Sequence, residues 1–215
     1  RSILLFLECV DAVQALVKVP IRLTESGIDL CTFSGHKIHG LKGTGILFVK
    51  EGTSLYPLLH GGNQEFGILS GTENVAGNVS IVRALRLILE KKKNELERLT
   101  KLRNKLYTTL SSMDHVQMNS PEDGAPHIIN VSVPGLKPEV VIHALYEKNA
   151  TISTQSACSS KDLDESRILD ACGFSKDRAI SGLRISLSYH NTEKDIEQFI
   201  EIFQSTISEL KEILR

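Results

Sequence analysis

The sequence has almost no net charge, no membrane-length apolar run, no CxxC pair and no internal repeat or low-complexity tract. A formal charge of −1 lacks the clustered basic excess of a nucleic-acid binder, so direct nucleic-acid contact is not expected. The run Lys91-Lys92-Lys93 lies among acidic residues and reads as a solvated helix face. No stretch approaches the roughly 18 apolar residues of a membrane span. The opening ILLFL has no signal-peptide cleavage pattern, so a cytoplasmic protein without a membrane role is expected. Without a CxxC pair, Cys9, Cys31, Cys158 and Cys172 imply neither a structural zinc site nor a disulfide framework, and no metal is expected. What is there is ordinary globular material: 215 residues, 41% hydrophobic and 24% charged, enough for one large domain or two small ones. No initiator methionine precedes the buried-strand pattern ILLFLECVD. A parallel strand covered on both faces needs neighbours, so the expectation is that an N-terminal part of a larger protein is missing.

Residues 3 to 10 read as that buried strand, ending at Asp11, and residues 29 to 33 and 45 to 50 as two more. A glycine-rich loop follows between Tyr56 and Gly71. From Asn74 to Leu110 apolar residues recur at helical spacing, giving one long amphipathic helix or two consecutive ones. HIINVSV then reads as a strand, PEVVIHALYEKN as a helix starting at Pro138, and ATISTQS as a strand. DESRILDACG reads as a short helix closed by Gly173, GLRISLS as a further strand, and residues 192 to 214 as a terminal amphipathic helix. Strands alternating with helices from about residue 114 predict a compact α/β unit.

The stretch SGHK, residues 34 to 37, places a lysine at the end of a buried strand. Asp11 also ends a strand, where α/β sheets bind ligands, although an aspartate there also serves as a turn cap. Together Lys37 and Asp11 supply what a pyridoxal phosphate site needs, an amine for the Schiff base and a carboxylate for the pyridinium nitrogen. Ser34 and His36 could donate hydrogen bonds to a phosphate group. Taken singly, Ser34 reads as a turn former and His36 as a surface residue. As a cluster the four favour the site. Cys158, in STQSACSS, has the small polar neighbours that a mobile nucleophile requires, whereas structural cysteines more often sit among large apolar residues. Cys9, Cys31 and Cys172 lie in apolar contexts and read as packing residues.

Five ordered motifs (VDAVQALVKVPI, SGHKIHGLKGTGILFVK, HGGNQEFGILSGTENVAG, STQSACSS and GLRISLSYHNT) carry a resemblance over essentially the whole chain. It resembles the cysteine desulfurases, NifS/IscS-like members of the class V aminotransferase superfamily. The resemblance implies an α/β, PLP-dependent transferase of fold type I, with a partial large domain followed by a C-terminal α/β small domain. Residues 1–75 would be the C-terminal part of the cofactor-binding domain, 76–112 a connecting helix and 113–215 the small domain. It implies pyridoxal 5'-phosphate as cofactor, L-cysteine as substrate, a sulfur-acceptor protein as partner and a homodimer with a shared active site. By motif, Lys37 resembles the Schiff-base lysine and Asp11 the partner of the ring nitrogen. Gln14 resembles the residue bonded to the phenolate oxygen, and Ser34 and His36 resemble phosphate ligands. Thr72 resembles a residue reaching the neighbouring subunit's phosphate, Arg184 the clamp on the substrate carboxylate, and Cys158 the persulfide-forming nucleophile. The chain departs from the pattern at Leu69, where arginine is usual, at Gln155, where glycine is usual, and at Cys9, where histidine is common. The resemblance implies that a histidine stacking on the cofactor belongs to an N-terminal segment that is expected to be missing here. Other readings are another class V aminotransferase or selenocysteine lyase, and an inactive truncated relative.

Overall fold

The computed structural model describes residues 6–154 and 166–213, so Gln155 and Cys158 lie outside the described residues. The chain divides into two compact units, residues 1–93 and 94–215.

In the first unit β1 (Cys9–Asp11), β2 (Leu30–Ser34) and β3 (Gly45–Val49) form one sheet in that order. β1 and β2 run parallel, with Asp11 opposite Thr32, while β3 returns antiparallel, with Gly45 opposite Ser34. β2 alternates as a half-buried strand should, turning Cys31 and Phe33 onto a small core with Ala12 and Ile28. A second cluster joins Val17 and Ile38 to Ile81 and Ala84 of helix α1 (Val75–Ser111). The expected buried first strand is shorter and more exposed: Phe6 and Leu7 precede it in non-strand backbone, both exposed, and Cys9 and Asp11 are exposed within it. The physical reason is pairing, because β1 has β2 on one side only and no other described strand beside it.

The second unit builds an antiparallel sheet, β4 (Gln117–Met118), β5 (Ile128–Ser132) and β6 (Gly182–Ser186), with β5 central. Leu99, Leu102, Leu106 and Leu110 recur every three or four residues on α1 and lie buried with Ile129, Val131, Leu183 and Ile185 of the sheet. Val141 and Leu145 of α2 (Pro138–Glu147) and Ile196, Phe203 and Ile207 of α5 (Glu193–Ile213) complete that core. Pro138 opens α2, where its missing N–H costs nothing. Thr192 and Asp195 cap α5 reciprocally: the Thr192 N–H donates to Asp195 Oδ2 at 2.8 Å, and the Asp195 N–H donates to Thr192 Oγ1 at 3.3 Å. Gly173 follows α3 (Arg167–Ala171) with φ of 78°, the left-handed conformation that lets a glycine end a helix.

Two elements went unread, β4 and the five-residue α4 (Lys176–Ile180). The ATISTQS segment contributes only a single bridge at Ser153 among the described residues. No described helix is long and apolar enough to cross a membrane.

Candidate functional site

Parallel pairing sets the geometry of the first unit's site. Because β1 and β2 point the same way, Asp11 ends one strand beside the other's exit, where Ser34 leads into a 3-10 turn, Gly35–Ile38. His36 and Lys37 ride on that turn, His36 exposed and Lys37 half-buried. Asp11 Oδ1 accepts the N–H of Val13 at 2.9 Å, so the turn-capping role suggested for Asp11 is real. Its other oxygen takes no hydrogen bond among the described residues and stays available. Ser34 occupies the turn's N-cap position without a side-chain capping bond, which leaves its hydroxyl free to serve a ligand.

The turn is held from behind. The Gly35 N–H donates to the Thr44 carbonyl at 2.9 Å, and the N–H groups of His39 and Gly40 both donate to the Gly35 carbonyl. A Cβ at Gly35 would fall 2.2 Å from Thr44 Oγ1 and 3.2 Å from Ile81 Cδ1, so only glycine lets the turn sit this close. Lys18 supports the same turn: its Nζ lies 3.5 Å from the Lys37 carbonyl oxygen. Burial, and then the neighbouring Lys37 ammonium, hold the Lys18 amine below the usual lysine range. Lys18 lies within VDAVQALVKVPI, where the sequence reading assigned only Asp11 and Gln14. Its partner is a backbone carbonyl, which no motif spells.

Gln14 is exposed in the turns that follow Asp11, and Thr72 is exposed in the loop before α1. An amine, a carboxylate with a spare oxygen and a free hydroxyl at the C-terminal ends of two adjacent parallel strands form a donor set that fits pyridoxal phosphate.

Arg184 belongs to the second unit. It sits half-buried in β6 opposite Asn130 of β5. Its backbone exchanges two hydrogen bonds with Ser153, Ser153 N–H to Arg184 O at 3.0 Å and Arg184 N–H to Ser153 O at 2.6 Å. The strand bearing Arg184 therefore grips the chain just before the segment that holds Cys158. Arg184 Nε is buried with no hydrogen-bond partner among the described residues, a guanidinium donor in need of an acceptor such as a carboxylate. Cys9 and Cys172 are exposed rather than packed, which corrects the sequence reading for both. Cys9 lies on an unpaired sheet edge, and Cys172 ends a five-residue helix. Cys31 alone of the three is buried, and burial pushes its thiol up.

Comparison with known proteins gives a consistent result. The cysteine desulfurase IscS of Klebsiella pneumoniae is 39% identical over 207 residues, covering 95% of this chain and 51% of that protein. A solved NifS-like protein superposes with a TM-score of 0.83 at 33% identity, over 94% of this chain and 52% of its own. The NifS-like protein of Rickettsia africae gives 0.81 at 29%, over 92% and 52%. The chain thus spans about half the length of the relatives it matches, and its mixed α/β fold is part of the fold type I architecture. The family model described as aminotransferase class-V matches residues 5–199, and the chain belongs to that family.

Proposed function

We propose that this chain is part of a pyridoxal phosphate-dependent cysteine desulfurase, which takes sulfur from L-cysteine, releases L-alanine and passes the sulfur to an acceptor protein. What supports this reading is that Asp11 ends β1 beside β2, whose exit leads through Ser34 into the turn bearing Lys37, in a chain 39% identical to proteins named for that activity. When bound, the cofactor would supply an electron sink for the substrate's α-carbon. Lys37 would hold it covalently and then carry the α-proton. Asp11 would pair its ring nitrogen, Gln14 its phenolic oxygen, and Ser34 and His36 its phosphate. Arg184 would clamp the substrate carboxylate with its fork of donors.

Cys158 would attack the substrate sulfur as a thiolate, and a sulfur–sulfur bond would form as the carbon–sulfur bond breaks. The bonding pair would stay with the substrate's β-carbon and be protonated on the way to L-alanine, and the outer sulfur of the persulfide would pass to the acceptor. Thr72 would reach the phosphate of a second copy, making a homodimer with shared sites. Residues 1–75 would close the cofactor-binding domain, 76–112 connect, and 113–215 form the small domain. A cytoplasmic setting suits delivery to iron–sulfur assembly or to tRNA and cofactor thiolation.

The test uses the whole enzyme of which this chain is proposed to be part, supplied with pyridoxal phosphate, L-cysteine and a thiol reductant that frees the persulfide sulfur as sulfide. This chain by itself is expected to bind the cofactor weakly or not at all and to show no turnover. Wild type should show a visible absorption band and form sulfide and alanine, Lys37→Ala should lose the band, and Cys158→Ser should keep the band but lose sulfide. Mass spectrometry should place the added sulfur on Cys158. A borohydride-reducible adduct surviving in Lys37→Ala, or sulfur carried by another cysteine, would overturn these assignments.

A further inference from the structure

Lys18 is a half-buried ammonium for which no carboxylate provides an ion pair among the described residues. Burying such a charge unpaired costs stability, so its position needs a reason. Val17, just before it, is buried and adopts φ of 60°, a left-handed conformation that is a genuine outlier for a β-branched residue. That backbone turn does two things. It sets the Val17 side chain into the cluster with Ile38, the residue after Lys37, and with Ile81 and Ala84 of α1. It also sends the Lys18 side chain to the Lys37 carbonyl, 3.5 Å from Nζ. The turn bearing Lys37 is therefore fixed from both sides, by apolar packing at Ile38 and by a cation at the Lys37 carbonyl.

We propose that Lys18 is a positioning residue for Lys37, its ammonium fixing the backbone from which the cofactor-holding amine projects. The role toward the cofactor rests on the desulfurase reading, whereas the ordering of the turn does not.

Lys18→Met keeps the length and apolar stem of the side chain and removes only the charged donor. Two measurements then separate positioning from bulk stability. In the cofactor-free protein, amide exchange at His39 and Gly40 should accelerate about tenfold, as expected for loss of one charge-assisted contact. In the whole enzyme with pyridoxal phosphate added, retention of the visible band through dialysis should weaken by about the same factor while the melting temperature holds or rises. Lys18→Arg, which restores a cationic donor, should recover both. Exchange and retention unchanged in Lys18→Met overturn the proposal. So does a melting temperature that falls with both and is not rescued by Lys18→Arg, since that pattern marks a merely structural residue. If the whole enzyme with Lys18 intact takes up no pyridoxal phosphate, the desulfurase reading fails with the cofactor role. Exchange at His39 and Gly40 then still decides whether Lys18 orders the turn.

Discussion

Replacing Gly35 by alanine tests whether the close approach behind the Lys37 turn matters. The added Cβ would lie 2.2 Å from Thr44 Oγ1 and 3.2 and 3.3 Å from two carbons of Ile81. Thr44 can rotate away only by giving up the 2.7 Å hydrogen bond that Oγ1 donates to the Leu41 carbonyl. Overpacking at such a site costs about 1–3 kcal/mol and the lost hydrogen bond about 1 kcal/mol, giving about 2–4 kcal/mol together. With a denaturant slope of about 2 kcal/mol per molar urea, the unfolding midpoint should fall by about 1–2 M. Far-ultraviolet circular dichroism across a urea series reads this directly. Thr44→Ala in the same background removes the clashing oxygen, so the double variant should be more stable than the sum of the single losses predicts. If the whole enzyme takes up pyridoxal phosphate as proposed, its band should weaken in Gly35→Ala and partly return in the double variant, because the displaced turn carries Lys37. A midpoint unchanged in Gly35→Ala, or no relief from Thr44→Ala, would refute the reasoning.

Two further outcomes follow from the second unit. Leu106 is fully buried in the core of the second unit, so Leu106→Ala should cost about 2–5 kcal/mol in urea unfolding, and an exposed-site value below about 0.5 kcal/mol would contradict that core. At Asp195, the Thr192 N–H and hydroxyl hold the carboxyl below the usual 3.8, so its stabilisation of α5 is present above that value and is lost as pH falls through the lower, folded one. Asp195→Asn, which removes the titrating carboxylate, should flatten this acid limb of a stability-versus-pH curve, and an unchanged limb would count against the cap.

Much of the fold was written locally. The strands around Ser34 and Gly45, the start of α2 at Pro138 and the end of α3 before Gly173 all depend on residues adjacent in sequence, and each was readable there. Burial of the first strand was not, because an apolar run states what a strand can tolerate while its neighbours decide what covers it. Gln117–Met118 and Lys176–Ile180 are too short to show any period. They are tied together by the Arg178 guanidinium, which donates to Asn119 Oδ1 and the Met118 carbonyl across a wide sequence gap. The candidate site divides the same way. Asp11 and Lys37 stand out because their chemistry resides in side chains at strand ends. Lys18 was missed because it acts on a carbonyl 19 residues away.

The exposure of Cys9 and Cys172 bears on how sulfur would be counted in this protein. A reagent that tallies accessible thiols reports both of them whatever happens at Cys158, and sulfane sulfur released to solvent can land on either by exchange. A rise in total persulfide after treatment with L-cysteine therefore cannot be attributed to one residue. The informative measurement is made in a Cys9→Ser, Cys172→Ser background, where every sulfur atom gained has only Cys158 or the buried Cys31 to reside on.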